Sequence, residues 1–221
     1  MIVGLIKFFR NVEFLDKLIA GCLYCRTPES YRLDTLQGVA DKSESCMFSY
    51  REGRSDPPGK LIVDGHEIEG IESLTVHRGN GQESWLNCWT ALRVPKDEAA
   101  LEQLKVDIQR LKREFGEHYA FIPAGKIKPF INLLQKLSSH LFWCQEVLYS
   151  SDCNAWSSKC KALEYSYQRE YRFSFGQCSD TEIDPYIIKC ETGFSQFIMK
   201  EPDLKLVDND GHTIWFDLKS V

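Results

Sequence analysis

The order of the regular segments along the chain most constrains its fold. Residues 95–140 carry two clear helical patterns, in which apolar residues recur every three or four positions: "PKDEAALEQLKVDIQRLKREFG" and "PFINLLQKLSSH". β-like runs precede this block ("LIKFF", "CLYCR", "ESWLNCWTALRV") and follow it ("LFWCQEVLYS", "YIIKCE", "DLKLVDNDGHTIWFDLK"). Strands and helices therefore do not alternate, and at 221 residues the chain predicts one α+β domain over 1–221.

Shorter signals fill in the first half of the chain. In "NVEFLDKLIAG" we predict a helix with Asn11 as its N-cap and Gly21 past its end. In "KLIVDGHEIEG" the Asp-Gly pair between apolar runs predicts a hairpin with a type I′ turn. Between the strand "CLYCR" and this hairpin, "TPESYRLDTLQGVADKSES" has the composition of a connecting loop, a kind of segment that often carries function.

Charge and apolar content restrict which kinds of partner and which cellular compartment the sequence allows. The formal net charge of -5 excludes a globally basic nucleic-acid binder, so any polyanion has to be met by a local cluster of positive side chains. No run approaches the roughly 18 apolar residues of a membrane span, and "MIVGLIKFFRNVE" lacks the pattern of a secretory leader. We therefore expect a soluble protein that is not exported, has no membrane partner and resides in the cytoplasm.

The cysteines and histidines give no metal-binding pattern. Nine scattered cysteines suit reduced thiols better than a disulfide framework. "CLYC" at 22–25 has the spacing of half a zinc knuckle or of a redox pair, but no second pair follows and its flanks are those of an apolar strand. The five histidines have no ligand-like spacing. The sequence therefore predicts buried free thiols and no metal site.

One stretch near the end, "EYSYQREYRFSF" at 164–175, combines aromatic and charged residues as a strand would. Because successive side chains of a strand point to opposite faces, it predicts an aromatic face, which Arg169 shares, and a polar row behind it. The aromatic face consists of Tyr167, Tyr171, Phe173 and Phe175. The polar row consists of Gln168, Glu170, Arg172 and Ser174.

Two interpretations of the polar row are open. Gln168 and Glu170 lie roughly 6–7 Å apart along one face, close enough to grip one polyol and to stabilise a developing positive charge. Alternatively, the strand faces solvent, and Glu170 and Arg172 form a surface ion pair worth about 0–1 kcal/mol. Spacing by itself favours the surface ion pair.

The row resembles a known catalytic motif. Gln168-Arg169-Glu170 is similar to the Q/E-x-E motif on a late strand of ADP-ribosyltransferases, which cleave NAD and move ADP-ribose to a target. The chain also resembles a bacterial family of unknown function that closes with Y-x-x-E-x-E-W-R, through "IKFFR" at 6–10, "LIAGCLYCRTPESYR" at 18–32, "LNCWTALRV" and "YSYQREYRFSF". It departs from that family at "YRLD", 31–34, where the family has Asn-Asp-Pro.

This resemblance implies an ADP-ribosyltransferase-like fold, with a split, mostly antiparallel sheet flanked by helices, and NAD as substrate without a metal. Glu170 would accept a hydrogen bond from the ribose 2′-OH and stabilise the oxocarbenium-like transition state. Gln168 would orient the attacking atom of the target. Arg172 would hold Glu170 ionised or contact a phosphate.

The resemblance also implies residues that bind NAD and a class of target. Lys7 and Arg10 would face the pyrophosphate or the adenosine ribose, and Phe9 or Tyr31 would stack on nicotinamide. The expected role is a toxin that bacteria or phages pair with an antitoxin in defence modules. Its expected target is RNA or DNA, and protein is the next alternative. Positive residues of the two central helices would track the phosphates: Lys112, Arg113, Lys126, Lys128 and Lys136.

Two other functions remain open. The same sheet could grip a nucleotide without cleaving it, as a non-catalytic sensing or binding module of a bacterial defence system. The chain could also be a protein-interaction domain with no small ligand.

Overall fold

The computed structural model describes residues 1–54, 56, 60–79 and 82–221. Within these residues the α-helices are α1 (Val12–Ile19), α2 (Pro28–Arg32), α3 (Glu98–Phe115) and α4 (Ala124–Leu137). The strands are β1 (Ile2–Phe9), β2 (Cys22–Cys25), β3 (Phe48–Arg51), β4 (Leu61–Val63), β5 (His66–Ile68), β6 (Ser73–Val76), β7 (Glu83–Arg93), β8 (His118–Pro123), β9 (Phe142–Glu146), β10 (Leu148–Ser150), β11 (Cys160–Ala162), β12 (Glu170–Cys178), β13 (Tyr186–Lys189), β14 (Met199–Lys200), β15 (Lys205–Val207) and β16 (Ile214–Asp217). Short 3₁₀ helices cover Cys153–Ala155 and Leu163–Gln168.

A six-stranded sheet in the order β14-β8-β1-β7-β12-β9 forms the centre, and every neighbouring pair in it is antiparallel. β2 pairs with β13 beside this sheet and is joined to β7 by a bridge between Arg26 and Leu86. β10 and β11 form a parallel pair. The predicted α+β class with a mostly antiparallel sheet is confirmed.

The central sheet opens between β1 and β7. Their pairing ends where Ile6 faces Thr90, although β1 continues to Phe9 and pairs there with β8 alone. On the other side of the opening, the first half of β7 is met by Arg26, whose N–H and C=O both bond to Leu86. β7 therefore has different partners at its two ends, and a cleft lies between them.

Apolar side chains form one cluster on each face of the sheet. On one face, Phe130 and Leu134 of α4 pack with Leu5 and Phe173. On the other face, buried residues of α3 pack with Ile6 and Phe8 of β1: Leu104, Ile108 and Leu111. Because neighbouring residues of β1 enter different clusters, the alternation of this strand divides the two layers.

The locally encoded elements lie where the sequence predicts them. Asn11 caps α1 by accepting a hydrogen bond from the N–H of Glu13. β4 and β5 form the predicted hairpin, with positive φ angles at Asp64 and Gly65 as a type I′ turn requires. α4 begins at Ala124, five residues before the predicted start at Pro129, so Pro129 lies inside the helix, where it has no N–H to donate.

The predicted strand at 164–175 is wrong in its first half. Residues Leu163–Gln168 form a 3₁₀ helix, Arg169 adopts a left-handed conformation with φ 45°, and β12 begins at Glu170. Tyr167 therefore packs in the α3 cluster instead of joining Phe173 and Phe175.

Among the described residues, no helix combines the length and apolar character needed to cross a membrane.

Candidate functional site

A cleft of about 190 Å³ occupies the opening between β1 and β7. Four residues that the sequence singled out line it: Lys7, Tyr31, Gln168 and Glu170. Its walls also include Phe8 of β1, Trp89 of β7 and Phe115 of α3. The structure thus brings together side chains from five parts of the chain around one concave surface.

Arg169, in the left-handed backbone conformation, places Gln168 and Glu170 at the cleft. The Arg169 side chain is fixed to Asp107 of α3, with Nε at 2.8 Å and Nη2 at 2.7 Å from Oδ2. Its C=O accepts a hydrogen bond from the N–H of Ala91 in β7. The two residues therefore face the cleft from either side of a tight turn, and not from one face of a continuous strand.

Glu170 is a buried carboxylate held by two cations. Its Oε1 accepts a hydrogen bond from Arg172 Nε at 2.6 Å, and its Oε2 accepts one from Lys161 Nζ at 3.2 Å. Burial alone would raise the pKa of Glu170, but the charges of Arg172 and Lys161 outweigh it and hold the pKa below its ordinary value. The carboxylate is consequently ionised at neutral pH.

Lys161 is the centre of this network, and sequence reasoning missed it. Its Nζ lies 3.3 Å from Asp41 Oδ2, 3.1 Å from Glu44 Oε2 and 3.2 Å from Glu170 Oε2. Burial lowers the pKa of Lys161, but Glu170, Glu44 and Asp41 together raise it well above its ordinary value. The short strand β11 carries no motif that would have marked this residue.

Arg172 completes the network from beneath the cleft. Its side chain is fully buried, and Nη1 lies 2.9 Å from Glu44 Oε1 and 3.0 Å from the C=O of Ser158. The solvent-facing ion pair considered for Glu170 and Arg172 is therefore wrong. Of the two roles predicted for Arg172, the geometry provides the contact with Glu170, whereas a fully buried guanidinium does not meet a phosphate from solvent.

Gln168 uses its amide within the protein. Its Oε1 accepts from Lys161 Nζ at 3.3 Å, and its Nε2 donates to the C=O of Gly38 at 3.1 Å and to the hydroxyl of Tyr167 at 3.3 Å. Gln168 thus ties the loop after α2 to the floor of the cleft.

Lys7 and Arg26 bring positive charge to the opening. Lys7 Nζ crosses it and donates to the C=O of Cys88 at 2.7 Å, and burial lowers the pKa of Lys7. Arg26 stacks over Tyr31 with its guanidinium carbon 4.4 Å from the ring centre, and its Nη1 pairs with Asp34 at 2.9 Å. Arg26 lies inside the quoted stretch "LIAGCLYCRTPESYR" but was not predicted as a site residue.

Phe9 and Arg10 do not reach the cleft, contrary to prediction. Phe8 lines the cleft, whereas Phe9 packs against the cluster on the α4 face. Arg10 turns away and donates to the C=O groups of Glu114 and Gln37.

The predicted patch of positive residues is not a single surface. Lys112 is buried, and its Nζ donates to the C=O of Leu218 at 2.6 Å and of Val221 at 2.7 Å. Arg113 is exposed on α3, whereas the exposed lysines of α4 belong to a helix on the opposite face of the sheet: Lys126, Lys128 and Lys136. Amphipathic patterns alone could not reveal that the two helices flank different faces.

The "CLYC" segment forms β2, as predicted, and its cysteines are free thiols. Cys22 and Cys25 are three residues apart on a strand, so their side chains leave opposite faces. Burial raises the pKa of Cys25. A neutral thiol in an apolar layer fits the interpretation of these residues as part of the core.

Compared with protein-family models, with curated proteins and with solved structures, the chain matches none.

Proposed function

We propose that the protein is an ADP-ribosyltransferase that cleaves NAD in the cleft between β1 and β7. The observation that carries this proposal is the ionised carboxylate of Glu170, which is 4% exposed and lines the cleft beside Gln168. A fixed negative charge in a water-poor site stabilises a developing cation far better than one in bulk water.

The chemistry breaks one bond and forms one. The glycosidic bond between nicotinamide and C1′ of the ribose breaks, nicotinamide leaves with the bonding pair, and the acceptor forms a new bond to C1′ while losing a proton. Glu170 faces the oxocarbenium-like centre. Both of its oxygens already accept a hydrogen bond, but each keeps a further lone pair for the 2′-OH of the ribose.

The size and rim of the cleft suggest how NAD would lie. At about 190 Å³ the cleft is smaller than the usual range of about 300–1,000 Å³ for ligand pockets, so it takes the nicotinamide ribose end and leaves the ADP portion outside. Lys7 and Arg26 supply positive charge for the pyrophosphate, and Tyr31 presents an aromatic ring at the same wall. We propose RNA or DNA as the acceptor and an antitoxin protein as partner.

A non-catalytic nucleotide-binding module is the second candidate. The observation that favours it is the pairing of Glu170 with both Lys161 and Arg172. Two nearby cations cancel much of the negative potential that the carboxylate would present to a forming oxocarbenium. A nucleotide would then bind in the cleft without losing nicotinamide.

The experiment that separates these functions follows NAD labelled on its adenylate part in the presence of RNA, DNA and cell proteins. We expect label in a nuclease-sensitive fraction, together with free nicotinamide. Glu170→Gln should lower the rate per folded molecule by about 10²–10³-fold. Glu164→Gln, at an exposed carboxylate of the same segment, is the matched control and should retain the rate.

Binding of NAD without nicotinamide release would support the module instead, and an equal rate for wild type and Glu170→Gln would end the catalytic role proposed for Glu170.

A further inference from the structure

Three side chains from separate segments converge outside the cleft. His77 follows β6, Glu83 begins β7 and Asp180 follows β12. His77 Nε2 lies 3.6 Å from Glu83 Oε1 and 3.6 Å from Asp180 Oδ2, and the three potential ligand atoms all lie within 4.8 Å of one another. The spacing of these residues along the sequence gave no sign of this arrangement.

The imidazole of His77 is oriented by its other nitrogen. Nδ1 lies 3.2 Å from the C=O of Ser45, and since a carbonyl only accepts, Nδ1 carries the proton. When the ring is neutral, Nε2 therefore presents its lone pair to the two carboxylates. Within the described part of the chain, this buried atom has no hydrogen-bond partner. Two carboxylate oxygens and an imidazole nitrogen that face one another need a positive charge, which a metal ion or a proton on Nε2 can supply.

The distances suit a metal ion. Ligands about 2.0–2.2 Å from a tetrahedral zinc ion lie about 3.3–3.6 Å from one another, which agrees with the two distances measured from His77 Nε2. A direct hydrogen bond would be shorter. We propose that His77, Glu83 and Asp180 bind a divalent transition-metal ion of the zinc class. An imidazole ligand favours such an ion over magnesium or calcium.

The surroundings hold the three ligands in place. Arg32 binds both oxygens of Glu83, and its Nη2 donates to the backbone C=O of Asp180 at 2.9 Å. Each carboxylate oxygen has two lone pairs, so Glu83 can accept from Arg32 and also bind the ion. Arg32 Nε also donates to Glu29 Oε2 at 2.7 Å, and Arg51 binds the same carboxylate, so Glu29 is shared by two guanidinium groups. Partners of this kind orient metal ligands.

The ion would connect elements that border the cleft. Arg32 belongs to α2, which also carries Tyr31 of the cleft wall, and Glu83 starts the strand that forms the other wall. The side chain of Asp180 is 55% exposed, so the cluster is open to solvent on that side. This inference concerns a site apart from Glu170 and does not rest on the function proposed above.

The test uses the full chain without an affinity tag, stripped of metal and kept reduced with a phosphine. Titration with Co²⁺ should give the intense visible bands of a tetrahedral ion at one equivalent, without a thiolate-to-cobalt band. Zn²⁺ should displace the cobalt, and competition with a chromophoric chelator then gives the zinc affinity. His77→Ala and Asp180→Asn should each weaken zinc binding by at least about 100-fold.

His118→Ala is the matched control. His118 also contacts a carboxylate, Glu201, at 2.7 Å, but it lies outside the cluster and its loss should leave binding unchanged. Because Asp180 is exposed, Asp180→Asn keeps the test valid if His77→Ala fails to fold. The proposal is overturned by wild-type protein that takes up no stoichiometric zinc, by a thiolate band that assigns the ion to cysteines, or by variants that bind as wild type does.

Discussion

Lys161→Met removes an ammonium that three buried carboxylates share. Lys161 itself is 8% exposed, and methionine fills much of the same volume without the charge. Glu44 and Glu170 would then depend on Arg172, whereas Asp41 would keep no ion-pair partner among the described residues. We expect this substitution to be among the most destabilising single changes in the protein.

The magnitude follows from the distances. Each of the three carboxylates lies 3.1–3.3 Å from Lys161 Nζ. At that separation a pair of unit charges attracts by about 5 kcal/mol at an effective dielectric constant of about 20. Most of the sum over the three pairs is offset by the desolvation of Lys161, by the mutual repulsion of the three carboxylates and by the protonation that follows its loss. The net loss in the free energy of unfolding should be about 3–5 kcal/mol, the usual cost of breaking a buried ion pair.

The loss should depend on pH in a definite direction. The pKa values of Glu44 and Glu170 are lowered in the folded wild type, so their stabilisation is present above the unfolded pKa and is lost as pH falls through the folded pKa. Without Lys161, burial is opposed by less positive charge and the folded pKa values rise. At pH values above the ordinary pKa of these carboxyl groups, the variant therefore takes up protons when it folds. The difference in the free energy of unfolding between wild type and variant should be smaller at about pH 5 than at about pH 7.5.

Urea unfolding at these two pH values measures the difference. In a thermal scan at neutral pH, the midpoint should fall by about 6–20 °C, at about 2–4 °C per kcal/mol for a chain of this length. Lys159→Met, at an exposed lysine of the same segment, should change stability by no more than about 0.5 kcal/mol. A loss for Lys161→Met below about 1 kcal/mol, or one that is the same at both pH values, would refute the network as described.

Three further outcomes are expected. Glu170→Gln should lower the melting temperature as well as any activity, because the amide loses two charge-assisted hydrogen bonds; a melting temperature equal to wild type would contradict this. Gly38→Ala should cost more in urea unfolding than Gly53→Ala, because both positions have positive φ but only a Cβ at Gly38 would overlap the Glu114 carboxylate; equal losses would contradict this. If the acceptor is a nucleic acid, Arg113→Glu should weaken modification of the nucleic acid and leave NAD cleavage unchanged. The same change should also make the modification less dependent on salt. Transfer that does not depend on salt would point to a protein acceptor.

A structural feature could be predicted from the sequence when the residues that determine it are close together along the chain. α1 with its Asn11 cap and the β4–β5 hairpin were predictable because a few adjacent residues determine them. Within β12, alternation correctly put Glu170 and Arg172 on the face opposite Phe173. Each of these predictions uses information confined to about ten residues.

The contacts that make the site are of longer range. Lys161 meets Asp41 and Glu44 across more than a hundred residues, and nothing in either segment marks them as partners. Gln168 was predicted for the site, but a strand pattern could not reveal the left-handed conformation of Arg169 that brings it there. The cluster at His77 was missed for the same reason, since its three members come from three separate segments.

Lys7 lies where the pairing between β1 and β7 ends. Past Ile6 and Thr90 the two strands cease to exchange backbone hydrogen bonds, and the ammonium of Lys7 takes the place of a strand N–H by donating to the C=O of Cys88. Without that donor, the carbonyl would be left to recruit water or the neighbouring strand. The width of the cleft and the extent of the pairing between β1 and β7 are therefore linked at this residue.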